Sequence, residues 1–156
     1  MTIYFPEVDG PVPYEGPKTK NPLAFRYYDK TRVVAGKTMA EHLRFAVCYW
    51  HTLRGTGADT FGGASFSRPW GRETDSILAA ESTMDAAFEL FEKLGVDFYC
   101  FHDRDIAPEG RTPTETQKYL DRMVAKAASL QKQTGVSLLW GTANLFSHPR
   151  YTHGAA

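Results

Sequence analysis

Gly95-Val96-Asp97-Phe98-Tyr99-Cys100-Phe101 and Gly135-Val136-Ser137-Leu138-Leu139-Trp140 repeat one pattern: a glycine, then a short apolar run rich in valine, leucine and aromatic residues. Apolar positions at helical spacing lead into each run. Ile77, Ala80, Met84, Ala87, Phe88, Phe91 and Leu94 precede Gly95, and Leu120, Met123, Val124, Ala127 and Leu130 precede Gly135. That spacing predicts a helix with one buried face. A glycine just beyond it suits the left-handed residue that closes a helix. The starts are marked too. Thr74-Asp75 offers a cap to the first helix, and Thr112-Pro113-Thr114-Glu115 combines a capping box with proline at the first helical position.

Upstream, Thr38 can cap a short helix over Met39 to Leu43, and Phe45-Ala46-Val47-Cys48-Tyr49-Trp50 reads as a buried strand. A long loop with Gly55, Gly57, Gly62, Gly63, Pro69 and Gly71 follows. The expected elements are strands near 44–50, 96–101 and 136–141 and helices near 75–94 and 113–133. An order of β, α, β, α, β implies α/β architecture: three parallel strands joined by two right-handed crossover helices on one side. An open flavodoxin-like sheet and a segment of a (β/α) barrel both satisfy this pattern.

Residues 1–36 differ in character. Pro6, Pro11, Pro13, Pro17 and Pro22 interrupt any regular pattern, because proline removes a backbone donor and restricts φ. The stretch reads as an extended N-terminal arm. Its aromatics (Tyr4, Phe5, Tyr14, Phe25, Tyr27 and Tyr28) predict that it lies against a surface. The expected organisation is therefore an arm over 1–36 and an α/β domain over 37–156.

Bulk properties narrow the classes of function. Eighteen basic residues balance eighteen acidic ones, which gives no electrostatic reason to expect a nucleic-acid or anionic-membrane partner. A hydrophobic fraction of 42% is that of a globular chain and argues against disorder. No apolar run approaches the roughly 20 residues of a membrane span, and the start lacks the basic and apolar regions of a signal peptide. Cys48 and Cys100 sit within apolar runs and read as small buried thiols, not as a disulfide. The expected location is the cytoplasm.

Functional groups in parallel α/β structures gather at the carboxyl ends of strands. Those positions hold Trp50-His51, then His102-Asp103-Arg104-Asp105, then Thr142-Ala143-Asn144 with Phe146. Trp50 and Phe146 read equally as core aromatics, and Asp103 with Arg104 as a local ion pair. His102, followed by three charged residues, is the candidate for chemistry: an imidazole held by a carboxylate moves protons near neutrality. His51, His148 and His153 lack metal-ligand spacing and read as surface or loop residues, while His42 falls on the short helix.

Longer motifs carry a resemblance. Tyr14-Glu-Gly-Pro with Asn21-Pro-Leu-Ala-Phe25, Gly36-Lys-Thr-Met with Glu41-His-Leu-Arg-Phe45, Phe101-His-Asp-Arg-Asp-Ile-Ala-Pro-Glu-Gly110 and Trp140-Gly-Thr-Ala-Asn-Leu-Phe146 through His153-Gly-Ala-Ala156 resemble the N-terminal third of class II xylose isomerases. The resemblance runs from about residue 4 to the last residue and up to the third barrel strand. It implies a partial TIM-type (β/α) barrel. It also implies an aldose–ketose isomerisation of a sugar such as xylose, in which the ring opens and a hydride moves between C1 and C2 with the help of divalent Mg, Mn or Co. By the same resemblance His102 is the ring-opening histidine and Asp105 the carboxylate that orients it. Trp50 and Phe146 wall the sugar, and Thr142 lines the pocket. Phe61 is the aromatic that a neighbouring subunit contributes, although Thr60 stands where the family usually has proline.

The chain departs from the family at Gly154-Ala-Ala156, where members continue into a third helix and about five more β/α units. The family's metal ligands belong to that part, and no metal ligand is identifiable in this chain. Three expectations follow: a sugar isomerase that is active only when assembled as a homodimer or with a complementing C-terminal chain, a non-catalytic barrel remnant with weak sugar binding, or a fragment of a longer isomerase. A barrel nuclease would want a basic face, which the neutral charge does not provide. Strands apolar on both faces leave edges and an inner face that favour pairing with a second copy. Sedimentation at micromolar concentration is expected to give a dimer, and a stable monomer of 17.5 kDa would contradict that expectation.

Overall fold

A computed structural model describes residues 2–144. Its central sheet has three strands, β3 (Ala46–Cys48), β4 (Phe98–His102) and β5 (Ser137–Thr142), in the order β3-β4-β5, all parallel. The crossovers are the long helices α2 (Ser76–Leu94) and α4 (Pro113–Thr134). The parallel sheet and both helices lie close to the ranges expected from sequence. The short helix α1 (Met39–His42) is there as well, with Thr38 and Glu41 forming a reciprocal capping box.

Both long helices begin and end on local chemistry. The Asp75 carboxylate accepts from the Ile77 amide at 2.9 Å, and Gly95 closes α2 in the left-handed region at φ 64°. Thr112 caps α4 by accepting from the Glu115 amide, and Gly135 closes it at φ 78°. Glu115 itself reaches one residue further back than a capping box requires, to the Arg111 amide at 2.6 Å.

The core lies between the sheet and the helices. Tyr99 on β4 packs between Phe88 and Phe91 of α2, with ring centroids 5.3 Å away in both cases. Met84, Ala87, Met123, Ala127 and Leu130 close around them. Val124, expected on the buried face of α4, is exposed, because that face narrows to Met123, Ala127 and Leu130. Two ion pairs cross from α4 to α2: Arg122 grips Glu81 with two bonds of 2.8 Å, and Lys126 meets Asp85 at 2.6 Å.

One further expectation needs correction, and two elements are added to those expected from sequence. The first strand is shorter than 44–50. From Trp50 to Arg54 the chain winds into a single wide π-type turn that brings Leu53 into the core beside Tyr49. The turn is held from afar: the Trp70 indole donates to the Leu53 carbonyl at 3.0 Å, and Arg68 donates to the Gly55 carbonyl at 3.0 Å. An apolar run cannot reveal such partners. Asp103–Ile106 adds a one-turn helix, α3, directly after β4. β1 (Val33–Val34) and β2 (Lys37–Thr38) add an antiparallel hairpin across residue 36, its turn made by Ala35 and Gly36 at φ 50° and 81°. Positive φ at both central residues is what a two-residue hairpin turn demands.

The arm lies on its own chain. Glu89 of α2 accepts from the backbone amides of Tyr4 and Phe5 at 2.8 and 3.1 Å, and the Lys93 ammonium donates to the carbonyls of Phe5 and Val8. Phe5 packs on Trp70 with ring centroids 5.5 Å apart. Strand β5, by contrast, is exposed along its whole length.

Tyr49 and Tyr99 are buried with hydroxyls that lack a hydrogen-bond partner. Burial pushes the Tyr49 phenol far up and the Tyr99 phenol up to about 12. Below pH ~10 both phenols are neutral in the folded and unfolded chain alike; above it only the unfolded chain ionises. Stability in urea melts is expected to fall as pH rises from ~10 toward the raised folded values, and Tyr99→Phe should flatten that slope.

Candidate functional site

The alternation of β4 sends Tyr99 and Phe101 toward the helices and Phe98, Cys100 and His102 to the opposite face of the sheet. His102 is the last residue of β4, and Thr142, the last of β5, is its register partner. The turn into α3 then brings Asp105 back onto His102. Its carboxylate accepts from the His102 amide at 2.8 Å and lies 3.0 Å from the ring Nδ1. Both side chains keep only 13% and 12% of their surface exposed. A carboxylate that accepts from Nδ1 fixes the orientation of the ring and favours the tautomer with the proton on Nδ1. A histidine held in this way has the chemistry to exchange a proton at its other ring nitrogen.

Two indoles frame the imidazole. The ring of Trp50 lies 4.6 Å from that of His102 and 5.5 Å from that of Trp140, and His102 and Trp140 meet edge to face at 6.0 Å. An apolar wall beside an ionisable ring keeps water from that side of it. Trp140 opens one of the family-like motifs but is not among the site residues expected from sequence. Its parity was the available signal, since Trp140 and Thr142 stand two residues apart on one strand and therefore face the same way.

The structure thus brings together His102, Asp105, Trp50 and Thr142. Phe61 does not join them: it is 96% exposed at the tip of a turn held by Asp59, which accepts from the Phe61 and Gly62 amides. His51 is exposed on the π-type turn. Phe146, His148 and His153 lie outside the described residues. A cavity of about 480 Å³ lies at the other end of the sheet, lined by Phe25, Tyr28, Phe45 and Val96 among others and not by His102.

The carboxylates beside the site do not suit a divalent metal. Asp105 is committed to His102. Asp103 accepts from the amides of Arg104 and Asn144 at 2.7 and 2.8 Å and faces the Arg104 guanidinium at 3.6 Å. Among the described residues no group of three or more His, Cys, Asp or Glu side chains is arranged to hold a metal ion.

No family model matches the chain. Among curated proteins it is 56% identical over 153 residues to a xylose isomerase of Geobacillus kaustophilus, covering 98% of this chain and 34% of that protein. The xylose isomerase of Thermotoga neapolitana is 51% identical over 156 residues, covering 100% of this chain and 35% of that protein. The chain resembles the N-terminal third of the xylose isomerases. It spans about a third of the length of the curated relatives it matches. The likeness to a xylose isomerase therefore extends along nearly the whole chain and is not confined to the His102 and Trp140 motifs. No helix among the described residues is long and apolar enough to cross a membrane.

The double grip of Asp105 on His102 has a measurable stability. Asp105→Ala removes a backbone cap and a ring partner and is expected to lower stability by about 1–2 kcal/mol. Asp105→Asn retains an acceptor for the His102 amide and should recover roughly half of that loss in the same denaturant melts.

Proposed function

We propose that this chain supplies the ring-opening part of a sugar isomerase that interconverts an aldose and a ketose such as xylose and xylulose. The observation that carries the reading is the His102–Asp105 pair at a strand terminus, walled by Trp50 and Trp140. In this reading His102 Nε2 takes the proton from the anomeric hydroxyl as the C1–O5 bond of the ring breaks, and returns it to O5. Asp105 holds the imidazole in the tautomer that permits this. Trp50 and Phe146 cover the apolar face of the sugar, Thr142 bonds a hydroxyl, and Phe61 reaches the pocket of a neighbouring subunit.

The three strands are then consecutive staves of a (β/α)₈ barrel, with residues 1–36 as its arm and 37–156 as the barrel segment. The Mg, Mn or Co that the hydride shift calls for is held by carboxylates from elsewhere in the assembled protein, whether a second copy or a complementing C-terminal chain. The proposed setting is a cytoplasmic homodimer. A second reading is a sugar-binding remnant without catalysis, and the commitment of Asp103 and Asp105 to local partners favours it.

Ring opening by itself needs no metal, so it separates the two readings. Exchange between the anomers of xylose, followed by magnetisation transfer in proton NMR, is expected to accelerate in the presence of the chain. His102→Ala should reduce that acceleration by about 100-fold, and His148→Ala should leave it within a factor of about two. Sugar-dependent quenching of tryptophan fluorescence without any acceleration would establish the remnant instead.

A further inference from the structure

On the face of the sheet that carries His102, two residues further down, the chain places two thiols side by side. Cys48 of β3 and Cys100 of β4 are register partners in the parallel ladder, and both are free. Val47 and Tyr99, the pair before them, face the helices, so alternation sends both cysteines to the other side. Cys100 is 7% exposed and its thiol points toward β3, donating to the Val47 carbonyl at 3.7 Å. Cys48 is half-buried.

We propose that Cys48 and Cys100 form a binding site for a soft, two-coordinate monovalent cation of the copper(I) type. Spacing decides between this and a disulfide. Cβ atoms of directly opposite residues on neighbouring strands stand about 4.5–5.5 Å apart, whereas a disulfide needs them at about 3.8 Å. Two thiolate–metal bonds of about 2.3 Å in line span about 4.6 Å between the sulfurs, a separation open to side chains that leave neighbouring strands in the same direction. Ligand number decides the ion. Zinc takes four ligands, and no third or fourth His, Cys, Asp or Glu is grouped with the pair among the described residues. Two thiolates without further donors select copper(I).

Binding exchanges protons and moves no electrons: two thiols and one Cu⁺ give an S–Cu–S unit of charge −1 and release two protons. Burial raises the pKa of both thiols, and the negative Asp105 adds to the rise in each. They therefore stay protonated and weakly nucleophilic until a thiophilic ion displaces the protons. The site lies beside tryptophans that report on it. Trp140 is the register partner of Cys100, and Trp50 follows Cys48 by two residues, whereas Trp70 packs on Tyr4 and Phe5 of the arm.

The test is an anaerobic titration of the full chain with copper(I) against a bathocuproine competitor. One ion per chain is expected, with both thiols lost together to Ellman's reagent and with quenching of tryptophan emission. Cys48→Ser and Cys100→Ser should each weaken binding by about 100-fold or more. Undiminished affinity in either folded variant, or two ions per chain with each thiol titrating alone, overturns the proposal. X-ray absorption of the loaded wild-type chain needs no variant. Two sulfur neighbours are expected, and a shell of three or more ligands, or of nitrogen and oxygen, also overturns it.

Discussion

The packing of Tyr99 is the constraint on which the rest of the structure depends. Its ring stacks on Phe91, meets Phe88 edge on and lies beside Phe101, while its backbone pairs with Val47 on one side and Leu138 on the other. One residue thereby ties the middle strand to α2 and to both neighbouring strands. Because alternate residues of a strand face opposite ways, seating Tyr99 in the helix layer commits Cys100 and His102 to the other face. A slip of one residue would turn the imidazole into the core.

The site is built from strand ends and short turns, each with its own support. The π-type turn that carries Trp50 is held by Trp70 and Arg68 from the far side of a long loop. The turn of α3 is held by Asp105, which serves the backbone and the ring of His102 with one carboxylate. Asp103 does the same for the strand that follows, by accepting from the Asn144 amide. These carboxylates act as clamps between loops. A divalent ion binding through Asp105 Oδ2 or Asp103 Oδ1 would displace the donors those two oxygens already hold, at a cost of about 1–3 kcal/mol apiece.

The arm and the last strand show opposite solutions to exposed apolar surface. Tyr4 and Phe5 are drawn onto α2 and Trp70 by Glu89 and Lys93, so that part of the arm belongs to its own domain. Strand β5 has no such cover, and Leu138, Leu139 and Trp140 stay exposed. Parallel strands are ordinarily covered on both faces, so the exposure of β5 sets it apart from β3 and β4.

Local sequence determined the elements whose causes are local. Asp75, Gly95, Thr112 and Gly135 bound the two long helices through caps within a few residues, and the apolar spacing between them defines the buried faces, so both helices and the two strands after them were legible. The His102–Asp105 pair was legible for the same reason, because three residues separate its members. Tertiary structure alone decided the rest. The run Phe45–Trp50 looks uniformly apolar, yet it divides at Cys48 because Trp70 and Arg68 satisfy a turn that sequence cannot connect to them. Trp140 joins the site only because the ladder aligns β5 with β4, and Cys48 meets Cys100 only because it aligns β3 with β4. Phe61 remains away from His102, since its own loop holds it through Asp59. Local chemistry can name a helix end or a one-turn bond, whereas contacts between distant residues depend on register and on burial, and those exist only once the strands have paired.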